Sequence, residues 1–266
     1  MNFIALGPLD VALAAVLLVL NAIISMVLRL GLGRQMLVAA SRMVVQLTLM
    51  GLVLKVLFDL ASPLFTSLTA LIMVLFAGRE VMARQTRRLS GWWSYGLGTT
   101  TMLMAAAVVT IFALTTQIRP DPWYEARIAL PILGMILGNT MTGVALGIDR
   151  LLGGAVRERV AIEARLALGH DMRDAFGGVM RDAMRSGMIP TINAMSAIGL
   201  VSIPGMMTGQ ILAGVEPMEA VKYQLLIMFL IAGGTALGVL GAVLGGARLL
   251  TDKRHRLRLD RLTAIE

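Results

Sequence analysis

MIPTINAMSAIGLVSIPGMMTGQILAGV, residues 188–215, runs for 28 residues without a charge. It nevertheless carries Thr191, Asn193, Ser196, Ser202, Thr208 and Gln210, and it is interrupted by Pro190, Pro204 and several glycines. Hydrocarbon offers no partner to a polar side chain or a freed backbone group, so both are tolerated only against protein or a water-filled cavity. The stretch therefore reads as a membrane-spanning helix with more to do than anchor.

Its neighbours extend the pattern. A span needs about 20 mainly apolar residues. Charge-free runs of that order cover 11–28, 60–78, 96–118, 128–148 and 225–247, and a seventh run, 35–58, holds Arg42 and Lys55 near its ends, where long side chains can snorkel. Composition agrees, with 57% hydrophobic residues, 15% charged and a mean hydropathy of +0.80, against the roughly 25% charged residues of soluble domains. The expected fold is one all-α transmembrane domain over 1–266 with seven helices. The N-terminus has no basic region ahead of its first apolar run, so that run is expected to remain as an anchor rather than a cleaved signal.

Positive charge orients the spans. With the N-terminus outside, the loops near 29–34, 79–95 and 149–189 and the tail 248–266 are cytoplasmic and hold 19 of the 24 Lys and Arg residues, as the positive-inside rule requires for N-out, C-in. That rule also accounts for the net charge of +8 without a nucleic-acid partner. The basic tail 253–261, KRHRLRLDR, is expected against anionic lipid. Trp92, Trp93 and Tyr95 fall at an inner boundary and Trp123, Tyr124 and Tyr223 at outer ones, where amphipathic rings collect. Asp121, Glu125, Glu216 and Glu219, with Asp10 and Asp59, lie in short outer loops. They make an acidic mouth that would draw cations, although short loops also need solvated residues for their own sake.

The one long hydrophilic segment, 149–189, is punctuated by Gly153, Gly154, Gly169, Gly177, Gly178 and Gly187 and contains no GxxxxGK[ST] phosphate loop, so nucleotide hydrolysis by that route is not expected of this chain. Met172, Ala175, Phe176, Val179, Met180, Ala183 and Met184 form one apolar helical face opposite Arg173, Asp174, Arg181, Asp182 and Arg185. There is no cysteine, and the two histidines, His170 and His255, stand far apart. No cluster has the spacing of a resident metal site. A transporter needs weak, releasing contacts instead.

Within that segment, EARLALGHDMRDAF (163–176) resembles the EAA loop of ATP-binding-cassette permeases, with Glu163, Ala164 and Gly169 at the family spacing. It departs downstream, where the family's Leu-Pro follows the Gly sooner than Ile189-Pro190 does here. The wider stretches GMILGNTMTGVALGIDRL (134–151), AMRSGMIPTINAMSAIGLVSIPGMMTGQILAG (183–214) and EAVKYQLLIMFLIAGGTALG (219–238) are similar to the FetB family of permeases, which includes bacterial iron exporters and plant relatives linked to aluminium tolerance. The resemblance implies a homodimer in the plasma or inner membrane, joined to two copies of a separate ATPase that carries ATP and Mg, with no cofactor on this chain and a metal cation as cargo. It assigns ATPase coupling to Glu163, Ala164, Arg165, Leu168, Gly169, His170, Asp171 and Phe176.

The residues themselves nominate a path. Asn139, Thr140 and Thr142 lie halfway along the 128–148 run, and Asn193 and Ser196 lie in 188–215; each needs a polar partner at depth, either another helix or a path. Pro204 followed by Met206, Met207, Thr208 and Gln210 suggests a break whose carbonyls, amide and thioethers could touch a passing cation. An ordinary proline kink with methionine filling gaps is the plainer alternative. Glycine pairs at four-residue spacing, Gly134/Gly138, Gly143/Gly147, Gly234/Gly238 and Gly241/Gly245, mark the fifth and seventh runs for close helix contact. An exporter of a non-metal substrate such as a sugar nucleotide, and a channel or carrier without nucleotide, remain as alternatives.

Overall fold

The structure, a computed structural model, describes residues 7–60, 62–252 and 256–264. Its contacts divide the chain into two compact units, Met1–Ala61 and Ser62–Glu266.

The first unit is a helical hairpin, α1 (Pro8–Val27) and α2 (Gly33–Leu60). Pro8 opens α1 at a position that needs no amide donor, and Asp10 Oδ2 accepts from Gly7 N at 2.7 Å. The turn passes through Arg29 and Gly31, both at positive φ, and is closed by Leu32 N donating to Ser25 Oγ at 3.1 Å. Almost every other side chain of the pair faces outward.

The second unit is a bundle of α3 (Pro63–Ala83), α4 (Trp93–Phe112, continued by a π-helical turn to Ile118), α5 (Ala126–Arg157), α6 (Arg159–Ala167), α7 (Met172–Ala197), α8 (Gly205–Leu212) and α9 (Pro217–Leu249). α5 is its axis, buried along most of its length, and it packs most extensively on α9 and α7. Small residues permit this. A Cβ added at Gly143 would lie 2.8 Å from Gly187 O, and one added at Gly187 would lie 2.7 Å from Gly143 O, so the two backbones touch with nothing between them. The expected close contact of the fifth and seventh runs is present. Gly234 and Gly238 of α9 receive Ile136 and Thr140 of α5, and Gly245 receives Leu97 of α4.

These contacts also fix direction. Gly154, Gly147 and Gly143 of α5 meet Val179, Ala183 and Gly187 of α7 in turn, so the two run antiparallel. Gly234, Gly238 and Gly246 of α9 meet Ile136, Thr140 and Leu151 of α5, so those run parallel. Gly245, Gly241 and Gly234 meet Leu97, Thr101 and Val109, so α4 opposes α9.

Residues 188–215 are not one helix. Among the described residues six helices are long and apolar enough to cross a membrane, and none of them comes from this stretch. Residues 188–197 are the last part of α7, which begins sixteen residues earlier than expected. Ile198–Pro204 leave the helical path, with Gly199 at φ +89°, and Pro204 caps the short α8 rather than kinking a longer helix. Pro190 sits inside α7 instead, and the helix runs through it. Of the segment 149–189, expected to be cytoplasmic, only 158–171 lies outside α5 and α7. Its amphipathic face is the buried stripe of α7, Ala175, Val179, Ala183, Gly187 and Thr191 at four-residue spacing, and of its glycines only Gly169 ends a helix. Charges on the outer face of α7 disguised a bundle helix as a surface one.

Beyond α9 the chain turns back. Arg258 N donates to Leu250 O, Arg261 Nη1 donates to Leu249 O at 2.7 Å, and β2 (Leu262–Ala264) pairs antiparallel with β1 (Arg87–Leu89) in the α3–α4 connection. Thr86 N and Oγ1 both donate to Asp149 Oδ1 of α5, at 2.8 and 2.7 Å. The described part of the tail is thus a hook onto the α3–α4 connection. Arg256 pairs with Asp252, and Arg258 with Asp260 through two nitrogens at 2.9 and 2.8 Å; Lys253, Arg254 and His255 lie outside the described residues.

Gly187→Leu should lower the melting temperature of the detergent-solubilised chain, since its side chain would have to displace the α5 backbone at a cost of at least the 1–3 kcal/mol, roughly, of an overpacked core. Gly138→Ala, with open space at its Cβ, should leave it unchanged. The hook has a pH signature as well. Arg258 donates to the Asp260 carboxyl and holds its pKa down to about 2. A lowered carboxylate pKa adds stability above its ordinary value near 4, lost as the pH falls through the lowered one. Protection of the β1–β2 amides should therefore be insensitive to this group between about pH 4 and 8, fall toward pH 2, and weaken with salt because the pair is exposed. Asp260→Asn should show the weakened protection already at pH 7 in hydrogen exchange.

Candidate functional site

The expected coupling residues form one exposed elbow. α6 ends at Ala167, Leu168 caps it, and the chain reverses through Gly169 at φ +87°, a conformation that an L side chain adopts only with strain. α7 starts at once, with Asp171 as N-cap accepting from Asp174 N at 2.8 Å. Glu163 pairs with Arg159 at 2.9 Å on the outer face of α6, and Arg165 Nη1 reaches across to Ala175 O at 3.2 Å, bracing the elbow. Ala164, His170 and Leu168 are exposed, Leu168 at 80% despite being apolar. Phe176 differs: it is wholly buried and anchors α7 in the core, while Ile162 does the same for α6.

The expected path residues divide by environment. Asn139 and Thr142 lie on the outward side of α5, with Asn139 Nδ2 donating to Met135 O and Thr142 Oγ1 to Gly138 O. Asn193 and Ser196 are exposed on the last turns of α7, where Ser196 Oγ donates to Ile192 O. By the α5–α7 register, Gly187 stands opposite Gly143. Ten further residues at about 1.5 Å each carry α7 roughly 15 Å toward the start of α5 before it breaks. Asn193 and Ser196 therefore lie beyond the middle of the bundle on the side away from the elbow, and not near its inner end. The break that follows is strongly exposed, Leu200 at 94%, with Val201 and Ile203 also outward. In α8, Thr208 Oγ1 donates to Pro204 O, Met206 and Met207 are half-buried, and Gln210 Oε1 is buried without a partner.

Thr140 belongs to a different set. Its hydroxyl is fully buried and unpartnered, as are those of Thr235 on α9 and Thr99 and Thr110 on α4, together with Gln224 Oε1. Thr140 abuts Gly238, and Thr235 abuts Gly143, so these two hydroxyls share the α5–α9 interface. Sequence reading singled out Thr140 alone; the signal for Thr235 was its place beside the glycine pair 233–234 on a helix already marked for close contact.

Of the carboxylates expected at an outer mouth, Glu216 and Glu219 have local partners at the start of α9. Glu216 caps α9, accepting from Glu219 N at 3.0 Å, and Glu219 pairs with Lys222 at 2.5 Å. Glu125 precedes α5 and Asp121 lies in the exposed turn before it. Among the described residues, no three His, Asp or Glu side chains converge as metal ligands would.

Residues 8–250 match the family described as uncharacterised protein family UPF0014. The chain is 39% identical over 205 residues to a UPF0014 membrane protein of Synechocystis, which covers 76% of this chain and 77% of the relative. It is 31% identical over 253 residues, 95% of each chain, to a protein of Escherichia coli K12 named "Probable iron export permease protein FetB". It is also 30% identical over 228 residues to Protein ALUMINUM SENSITIVE 3 of Arabidopsis thaliana, 85% of this chain and 81% of the relative. No solved structure matches it significantly. A predominantly helical, multi-pass architecture and similarity along nearly its whole length place this chain in the UPF0014 family of membrane proteins.

Proposed function

We propose that this chain is the permease subunit of an ATP-driven exporter in the plasma or inner membrane, working as a homodimer with two copies of a separate ATPase and moving iron or another metal cation outward. The observation that carries the reading is the continuity of α7. It begins at the exposed elbow Leu168–Asp171 and runs unbroken for 26 residues, about 39 Å, to the break at Ile198. A partner that pushes the elbow moves the break as one body, because α7 is locked to α5 at Gly143–Gly187 along the way.

The break is where a path is most reasonable. Non-helical backbone at membrane depth is accepted only against protein or water, and here it adjoins the exposed amide and hydroxyl of Asn193 and Ser196. A second copy covering this face would enclose the path between the two. Seven crossings, N-out and C-in, fit the alternation of direction in the bundle together with the hairpin of the first unit and the loop charges. α7 then counts as a crossing although its first half is too charged to be recognised by hydropathy.

The elbow and the cargo can be tested separately. Gly169→Val has room for its side chain but forces a left-handed residue, at about 1–2 kcal/mol. It should leave the fold intact while ATP-dependent transport into inside-out vesicles falls at least tenfold. Unchanged transport would remove the elbow's role. The same vesicles, offered iron, other divalent metals and a sugar nucleotide, should take up metal only with ATP, and failure of any ATPase to co-purify would end the ATP-driven reading.

A further inference from the structure

We propose that the groove between the inner end of α3 and the start of α4 is a binding site for one anionic phospholipid, with Arg79 on the phosphate and an acyl chain lying along α3. The groove has a volume of about 640 Å³. Leu75, Phe76, Arg79 and Met82 line it from one face of α3, and Trp92 and Tyr95 from the other wall.

The two halves of a lipid are matched separately. Above Arg79, the side chains of Leu68, Ile72, Leu75 and Phe76 follow one another at helical spacing and are all exposed, an apolar track a little over two turns long. Arg79 comes one turn below it, at the level where the helix leaves the apolar run, and has no carboxylate partner among the described residues. The far wall is built. Tyr95 OH donates to Leu75 O at 3.3 Å, Trp92 packs edge-on to Tyr95 at 6.3 Å, and Gly91 at φ +65° turns the chain into this position. Trp92 remains 84% exposed, an indole whose ring and N–H suit the boundary between acyl chains and headgroups.

Charge complementarity points to an anionic headgroup rather than a zwitterionic one. Among the described residues of the tail 256–264, the arginines are taken: Arg256 by Asp252, Arg258 by Asp260 and Arg261 by the Leu249 carbonyl. Among the described residues nothing pairs with the Arg79 guanidinium, which lies beside an apolar track, and a guanidinium binds phosphate with two parallel N–H donors. The site concerns neither the ATPase nor the cargo, so it stands or falls apart from the permease reading.

The test uses the full chain, delipidated in detergent, with phosphatidylglycerol, phosphatidylcholine or glycerol 3-phosphate added, read by native mass spectrometry and thermal shift. Phosphatidylglycerol should be retained and raise the melting temperature, while phosphatidylcholine and the chainless phosphate should do neither. Arg79→Gln should weaken phosphatidylglycerol binding about tenfold or more, and Arg79→Lys should weaken it less. Arg84→Gln, which removes a nearby exposed charge outside the groove, should leave it unchanged. Should Arg79→Gln prove unstable without lipid, Trp92→Ala replaces it with the same expected loss. Equal retention of phosphatidylcholine, undiminished binding by Arg79→Gln, or equal loss with Arg84→Gln would overturn the site. So would disulfide formation between two copies of Trp92→Cys in a chain that has no other cysteine, because it would give the groove to a second copy.

Discussion

The contact on which the bundle depends is the meeting of two backbones, Gly143 of α5 and Gly187 of α7. In lipid the hydrophobic effect does not drive helices together, so close van der Waals approach must do so, and glycine gives the closest. Around this point Thr235 and Val239 of α9 fill the third side, and each Cβ that is missing from the glycines is replaced by an atom of a neighbour. α7, whose outward face carries Arg173, Asp174, Arg181, Asp182 and Arg185, is held to the bundle by this stripe. Its position in turn sets where the elbow emerges and where the helix ends.

The threonines reveal a second constraint. Those toward the outside mostly satisfy themselves: Thr100, Thr116, Thr142 and Thr208 donate to the carbonyl four residues back. The buried Thr99, Thr110, Thr140 and Thr235 do not. An unmade hydrogen bond in the interior costs roughly 1–3 kcal/mol, and a bundle that carries several keeps its best-packed interface from being its most stable possible one. Helices that must shift against each other gain from such a seam, since the alternative arrangement has less to give up.

Much of this was legible in residue order. Long apolar runs locate α1 to α5 and α9, although α5 runs nine residues past its expected end and α9 begins eight residues before its expected start, and the glycine pairs correctly marked α5 and α9 as partners. The elbow was marked by the resemblance of Glu163 to Phe176 to an EAA loop, and Gly169 at φ +87° is the turn within it. What failed was α7 and α8. A hydropathy count sees Arg173, Asp174, Arg181, Asp182 and Arg185 and ends the membrane there, whereas four-residue spacing of small residues on the opposite face carries the helix on. Pro190 and Pro204 were read the wrong way round. Proline is tolerated in a packed helix where neighbours accept the freed carbonyl, and the actual exit was set by Gly199 at positive φ. The hook could not be read at all, because charge composition cannot show that Arg258 and Arg261 have internal partners.

The returning tail has a consequence for how the molecule is completed. Leu262 pairs with Leu89, 173 positions earlier, so this smallest sheet is also a contact of very long range. Closing such a loop is entropically slow, and it can persist only after α4, α5 and α9 have come together to set the two strands side by side. The ribbon then works as a seal on a finished assembly. A chain cut before Arg258 would keep every spanning helix yet leave Leu89 unsheltered and the end of α9 without the arginine that now accompanies its carbonyl. Loss of the two short strands would therefore mark an incomplete assembly.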